Sequence, residues 1–186
     1  MTNALIVIDV QESFRARPQW QEINNPGIAG QVQRLVDAAR AAGDLVVWVL
    51  HSEPGTGTVF DPASGFVRLF DELDPAPDEP VLIKTAHNAF TTTNLGQLLT
   101  QRGIHDLVIC GIRTEQCCET TARLASDLGY RVTFVTEATA TGPIAHFAGG
   151  RTLSAEEVVA RTEYALAGRF ATIKTVAELT GVSVGG

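Results

Sequence analysis

Short apolar runs that end near a polar residue alternate along this chain with stretches in which apolar residues recur every three or four positions. The runs at residues 4–9, 45–50, 81–84, 107–110 and 131–135 have the length of strands. The first two are almost continuously apolar, which is typical of strands covered on both faces, as in a parallel sheet. The pattern therefore predicts a buried, mainly parallel sheet.

Helical spacing marks most of the segments between these runs. In residues 28–42 apolar positions recur at that spacing until Gly43, and glycine commonly follows a helix end. Ser154 and Glu157 form the pattern of a capping box at the start of another helix. The predicted helices cover residues 28–42, 93–102, 115–128, 155 to about 166, and 176–179.

Alternating strands and helices predict one α/β domain over residues 1–186, with a doubly wound sheet and no internal repeat or linker. In such a fold the ligand lies outside the carboxyl ends of the strands. Asp9, His51, Lys84 and the turn at residues 111–117 all follow strand ends. We therefore expect the functional site among them.

The connection at residues 52–80 is long and is punctuated by glycines and prolines. Phe60, Phe66 and Phe70 are interleaved with them, so the segment is either a binding loop or lid, or a short helix over residues 66–73 between loops. We favour a lid over a plain connector, because aromatic residues in a mobile segment need a surface to cover.

Composition narrows the class of protein. The net charge of -7 and the lack of a Lys/Arg cluster argue against nucleic-acid and anionic-membrane partners. Asp9 interrupts the first apolar segment, and no run of about 18 apolar residues follows, so neither a secretory signal nor a membrane span is predicted. We expect a cytoplasmic protein.

The chain has three cysteines, Cys110, Cys117 and Cys118, an odd number without metal-finger spacing, so reduced thiols are expected. Cys117 lies near a predicted helix start. Backbone N–H groups and the helix dipole there favour a thiolate and stabilise an oxyanion, although a buried structural cysteine is the alternative.

Cys117, Asp9 and Lys84 supply a nucleophile, a base and a cation from sequence-distant strand ends. Taken alone, a strand-end aspartate often caps a neighbouring turn, and a strand-end lysine is most often solvated. The predicted fold brings all three to one crevice, which favours a joint catalytic role.

Three segments also resemble motifs of the isochorismatase-like cysteine hydrolases: LIVIDVQESF at residues 5–14, KTAHNAF at 84–90 and GIRTEQCCETTAR at 111–123. The resemblance implies a three-layer, Rossmann-like α/β/α domain with a six-stranded sheet, a Cys117-Asp9-Lys84 triad, and a dimer or tetramer. It also implies a cis peptide between Ile112 and Arg113, and an oxyanion hole made by the backbone N–H groups of Arg113 and Cys117.

The function that these residues predict is metal-independent hydrolysis of a C–N bond in a small amide. Cys117 attacks the amide carbon, Asp9 accepts and returns the proton, and Lys84 stabilises the sulfur as a thioester forms. Two alternatives remain. One is vinyl-ether hydrolysis of an isochorismate-type acid, which needs no cysteine; the other is a non-catalytic protein that binds a small molecule or senses oxidants through Cys117 and Cys118.

Nicotinamidases of this superfamily hold a metal through an Asp-x-His pair, whereas this chain has His51-Ser52-Glu53. We therefore expect no catalytic metal and no other cofactor. The residues assigned tentatively to the substrate pocket, with core or subunit packing as the alternative for the aromatic ones, are Phe14, Trp20, Phe60, Phe66, His87 and Phe90.

Three further side chains have two interpretations each. His51 and His146 either touch substrate or have a structural role, and we favour the structural role. Arg113 either adds a cation to the pocket or pairs with Glu115 or Glu119, and we favour the pairing.

Overall fold

A six-stranded parallel sheet forms the centre of the computed structural model, which describes residues 3–181. Its strands lie in the order β3-β2-β1-β4-β5-β8, and every neighbouring pair is parallel. Strands β6 and β7 form a separate antiparallel hairpin. The strands are β1 (Ala4–Ile8), β2 (Leu45–His51), β3 (Val81–Lys84), β4 (Asp106–Ile112), β5 (Arg131–Ala140), β6 (Ile144–Ala145), β7 (Thr152–Leu153) and β8 (Thr172–Ile173).

The helices are α1 (Glu12–Arg15), α2 (Ile28–Ala42), α3 (Leu95–Gln101), α4 (Glu119–Asp127), α5 (Ala155–Leu166) and α6 (Val176–Thr180). Helix α2 begins and ends where the apolar spacing predicts, and Gly43 follows it in the left-handed conformation. The capping box of α5 is present, with Ser154 accepting from the Glu157 N–H and the Glu157 side chain accepting from the Ser154 N–H. No helix among residues 3–181 is long and apolar enough to cross a membrane.

Both faces of the sheet are covered, which explains the nearly unbroken apolar strands. Leu5 and Val7 of β1 point to the face packed by α2 and α6. Ile6 and Ile8 point to the opposite face, which packs against α3, α4 and α5. The three-layer α/β fold predicted from the sequence is confirmed.

Two segments differ from the predictions. Strand β5 continues to Ala140, past a change of register opposite Ile109 and Gly111, so part of the expected loop after residue 135 is strand. Residues 66–73 do not form a helix, because their backbone pairs with residues 10–13 instead: the N–H groups of Glu12 and Ser13 donate to carbonyls in this segment. Phe70 is fully buried there, so the segment is packed onto the core.

The strand order changes direction between β1 and β4, because the chain fills one half of the sheet before it starts the other. Parallel sheets place ligands at such a switch point, outside the carboxyl ends of the strands. Asp9 follows β1, and the turn that carries Cys117 follows β4.

Candidate active site

Asp9 lies directly after β1, and its carboxylate is completely buried. Its backbone has φ 54°, a left-handed conformation that aspartate adopts more readily than most residues. The Asp9 N–H donates to the Val49 carbonyl of β2 at 2.8 Å, so the residue is fixed between its neighbouring strands. Among the described residues, the carboxylate of Asp9 faces the ammonium of Lys84 and the thiol of Cys117.

Lys84 ends β3 and is also completely buried. Its Nζ atom lies 2.8 Å from Asp9 Oδ2 in an ion pair. The same Nζ is 3.4 Å from Cys117 Sγ and 3.3 Å from His51 Nδ1. Lys84 Nζ therefore contacts side chains of three residues: Asp9, Cys117 and His51.

Cys117 lies in a π-helical turn, Thr114–Cys118, that leads into α4. The Cys118 N–H donates to the Arg113 carbonyl at 3.2 Å and closes this wider turn. Such turns are rare and occur frequently at functional sites. Only 6% of Cys117 is exposed, so its sulfur faces the protein interior next to Lys84.

Burial dominates the electrostatics of this site. It raises the pKa of the Cys117 thiol, and the negative charge of Asp9 raises it further. Burial also raises the pKa of Asp9, against the positive charge of Lys84. Burial therefore opposes the thiolate that the helix start favours.

The two N–H groups assigned to the oxyanion hole border the same turn. The Ile112–Arg113 peptide bond is cis, at the position that the family resemblance implies. Among residues 3–181 the Arg113 N–H donates to no backbone carbonyl, while the Arg113 carbonyl accepts from Gln116 and Cys118. Within this part of the chain, the Arg113 N–H thus has no backbone acceptor beside the turn that carries Cys117.

A cavity of about 60 Å³ borders this turn through Arg113. Phe14 and Trp20, both assigned tentatively to the pocket, line it. None of the three triad side chains is among its lining residues. The lining residues are Phe14, Arg17, Gln19, Trp20, Glu22, Ile23, Arg113, Gly142 and Pro143.

Phe60 and His87 lie beside the ring of His51 rather than in this cavity. Phe60 is buried, with its ring edge-on to Phe14 at 5.1 Å and 5.7 Å from the ring of His51. His87 is exposed, and its ring lies 6.4 Å from that of His51.

Phe66 and Phe90 are not brought to the cavity. Phe66 is 41% exposed at the surface of the 52–80 connection. Phe90 stacks on Tyr130 with ring centroids 5.7 Å apart, and it packs against the core on the α3 and α4 side of the sheet.

Arg113 both pairs with a carboxylate and lines the cavity. Its guanidinium lies 3.3 Å from Glu115 Oε1 and donates to the Gly142 carbonyl at 3.1 Å, so the favoured pairing is confirmed for Glu115. Glu119 pairs instead with Arg123 and Arg161.

The other two cysteines pack in the core. Cys110 and Cys118 are fully buried in the clusters on opposite faces of the sheet. Burial raises the pKa of Cys110 to about 12 and that of Cys118 well above its usual value. Cys117 is the cysteine that contacts Lys84, and it is also the one that the family resemblance implies.

Two residues, His51 and Gln11, have contacts at the site that the sequence pattern does not indicate. The pattern favours a structural role for His51, yet its ring contacts Lys84. Gln11 is buried, and its side-chain amide accepts from the His51 N–H at 2.7 Å and donates to the His51 carbonyl at 3.0 Å. The sequence feature that could have pointed to Gln11 is its position, two residues after an aspartate that follows a strand end.

Among residues 3–181 no group of three or more His, Cys, Asp or Glu side chains is arranged to hold a metal ion. The Nε2 atom of the His51 imidazole lies 3.4 Å from Glu53 Oε1.

The sequence of this chain is similar to the sequences of known proteins. A family model described as Isochorismatase domain matches residues 3–163. The streptothricin hydrolase of Streptomyces noursei is 37% identical over 139 residues, which are 74% of this chain and 54% of that protein, so the match spans about half of that relative. The ureidoacrylate amidohydrolase RutB of Enterobacter sp. (strain 638) is 31% identical over 156 residues, 65% of this chain and 67% of that protein.

The fold is also similar to that of a solved structure over nearly the whole length of both chains. The crystal structure of a cysteine hydrolase from Pseudomonas syringae pv. phaseolicola 1448A superimposes with a TM-score of 0.88 at 26% identity, covering 96% of this chain and 91% of that one.

Proposed function

Because this chain belongs to the isochorismatase family of hydrolases, we propose that it cleaves the C–N bond of a small amide with Cys117 as the nucleophile. One observation carries the proposal. Lys84 Nζ contacts both Asp9 Oδ2, at 2.8 Å, and Cys117 Sγ, at 3.4 Å, inside a site closed to solvent. A buried base, cation and thiol in mutual contact form the arrangement that nucleophilic catalysis requires.

The first step transfers a proton within the site. The thiol proton of Cys117 moves to a carboxylate oxygen of Asp9 as the sulfur attacks the amide carbon, and Lys84 stabilises the developing thiolate. The raised pKa values of Cys117 and Asp9 support transfer during attack rather than a preformed thiolate, because one ammonium neutralises only one of the two anions.

The carbonyl oxygen then carries the negative charge of the tetrahedral intermediate. We assign the backbone N–H groups of Arg113 and Cys117 to it, each contributing about 3 to 4 kcal/mol to lowering the barrier if it behaves like other oxyanion donors. Protonated Asp9 donates to the departing nitrogen as the C–N bond breaks and a thioester forms. Asp9 next takes a proton from water as its oxygen attacks the thioester carbon, and then returns that proton to the departing sulfur as the C–S bond breaks, which releases the acid and regenerates the Cys117 thiol.

The amide assignment rests on the nucleophile and on one relative. A vinyl-ether hydrolase of the isochorismatase type uses the aspartate and has no need of a cysteine, whereas here the thiol of Cys117 lies against Lys84. The relative RutB is named an amidohydrolase. A purely binding or redox-sensing protein does not require a base and a cation beside its thiol, which speaks against the non-catalytic alternative.

This proposal specifies only the size and the chemical class of the substrate. Phe14 and Trp20 give the cavity beside Arg113 an aromatic wall, which suits the apolar end of a small amide, since the three catalytic side chains do not line it. The cytoplasmic location and the independence from metal inferred from the sequence belong to the same proposal.

Cys117→Ala tests the proposed function. We expect ammonia or amine release from a library of small amides to fall by about a thousandfold or more, because the covalent step is lost. Circular dichroism and thermal melting should match the wild type, since removing a thiol leaves the rest of the packing in place.

Cys118→Ala is the matched control, because it removes the neighbouring buried thiol, which does not contact Lys84. We expect this variant to keep its activity. A folded Cys117→Ala protein that remains fully active would contradict the cysteine mechanism and favour vinyl-ether hydrolysis led by Asp9.

A further inference from the structure

His51 contacts the triad through Lys84. It is the last residue of β2, paired in register with Lys84 at the end of β3. The Nδ1 atom of His51 lies 3.3 Å from Lys84 Nζ, and the Nε2 atom lies 3.4 Å from Glu53 Oε1 on the far side of the ring. The imidazole therefore bridges the buried ammonium and a carboxylate of the following loop.

The chemistry of the Lys84 ammonium and the His51 imidazole determines which of them donates the hydrogen bond between them. An ammonium has three N–H donors and no acceptor, so Nδ1 of His51 must accept. A neutral imidazole then carries its proton on Nε2, which donates to Glu53. Asp9, Cys117 and His51 are three neighbours around the three N–H bonds of Lys84.

The surroundings hold His51 in this orientation. Gln11 binds both the N–H and the carbonyl of the His51 backbone, and Phe60 packs its edge against the ring. The charged and titratable groups that face the ring are Lys84, Asp9, Glu53 and His87. Burial and the charge of Lys84 lower the pKa of His51, which agrees with a neutral ring.

We propose that His51 is a positioning residue: its Nδ1 accepts the third hydrogen of the Lys84 ammonium and so holds Nζ between Asp9 and Cys117. The inference rests on the proposed function of Cys117 and adds a residue to it. Without this acceptor one N–H of a completely buried ammonium is unsatisfied, and Lys84 stabilises the Cys117 thiolate less well.

Two substitutions of similar shape separate acceptor chemistry from packing. His51→Asn keeps an acceptor, the amide oxygen, near the place of Nδ1, whereas His51→Leu removes it. The measurement is the second-order rate of iodoacetamide alkylation of Cys117 at pH 8, resolved from Cys110 and Cys118 by mass spectrometry. We expect His51→Leu to react about tenfold more slowly than wild type and His51→Asn to stay within about threefold.

His105→Leu is the control, because His105 is exposed and precedes β4, at the end of the strands opposite the site. It should react at the wild-type rate. A folded His51→Leu protein with the wild-type rate overturns the proposal, as does a His51→Asn protein as slow as His51→Leu, because then the shape of the ring and not its acceptor matters.

A second measurement does not depend on the sulfur. Nitrogen-15 NMR of the wild-type protein should show the His51 ring at pH 7.5 protonated at Nε2 and unprotonated at Nδ1. A proton on Nδ1 overturns the proposal whatever the alkylation rates. If this signal is as expected but wild-type Cys117 reacts no faster than the buried Cys110, the cysteine mechanism fails while the His51–Lys84 contact stands.

Discussion

Gly111 makes room for the backbone that carries Asp9. It pairs with Ile8, the residue before Asp9, and has φ 130°. A Cβ atom at position 111 would lie 1.9 Å from the Ile8 carbonyl oxygen, far inside van der Waals contact. Since the obstacle is backbone, any side chain here must displace the end of β1 and with it the carboxylate of Asp9.

We expect Gly111→Ala to lower the free energy of unfolding by about 3 kcal/mol or more, through steric overlap and an unfavourable φ. Gly30→Ala in helix α2 is the matched control: a Cβ atom at position 30 would meet no atom within 4 Å, and we expect a gain of up to about 1 kcal/mol. Urea unfolding at pH 7 measures both. Equal stability of the two variants would show that β1 and β4 separate at little cost.

The residues of the site differ in how far the sequence predicts them. Asp9, Lys84 and Cys117 follow strand ends, and parallel strands bring such ends together whatever the side-chain details. The contact of His51 with Lys84 depends on rotamers and on the Gln11 amide that holds the end of β2, which no periodicity encodes. The raised pKa of Cys117 depends on the burial of its side chain, which the position of a helix start does not reveal.

Elements whose conformation depends on nearby residues were predicted correctly from the sequence, whereas a segment that pairs with a distant part of the chain was not. Helix α2 and the capped start of α5 follow from apolar spacing and from residues a few positions apart. Residues 66–73 have helix-compatible spacing but pair with residues 10–13, more than 50 positions away, and this partner decides their conformation.

The loop that leads into β3 is held by one carboxylate. Glu79 accepts from Arg40 of α2 at 2.7 Å, from the Trp48 indole N–H of β2 at 2.7 Å, and from the Ala76 N–H at 2.9 Å. Burial raises the pKa of Glu79, but the hydrogen bonds from Arg40, Trp48 and Ala76 outweigh it, and the net shift is downward.

A lowered folded-state pKa stabilises the protein above the unfolded value, near 4.5, and this contribution is lost as pH falls through the folded value. We expect Glu79→Gln to cost about 1 to 3 kcal/mol at pH 7, and the difference from wild type to shrink steadily below about pH 4.5. Urea unfolding from pH 7 to pH 3 measures it. Exposed Asp127→Asn serves as the control, and a Glu79→Gln deficit that persists unchanged at pH 3 would contradict the assignment.

At the scale of the whole molecule, the site combines residues from three strand ends on both sides of the switch point between β1 and β4. The edge strand β3 supplies Lys84 on one face and exposes Val81 and Ile83 on the other. The position of the lysine thus depends on the outermost strand of that half of the sheet.

We expect the chain to assemble as a dimer or tetramer, as its family resemblance implies. Phe147 and Tyr164 are 95% and 89% exposed in the single chain, an apolar surface that association would remove from water. Sedimentation velocity at micromolar concentration measures the mass. A single species at the monomer mass of 19.8 kDa would contradict the expectation.

The burial of Asp9, Lys84 and Cys117 has a consequence for the course of the proposed reaction. The first half of the cycle moves one proton from sulfur to oxygen and back to the leaving nitrogen, so the site exchanges no proton with the medium. Acylation therefore needs neither buffer nor a water channel. Water enters the chemistry only to hydrolyse the thioester, so the closed site must admit one molecule of water after the leaving group has gone.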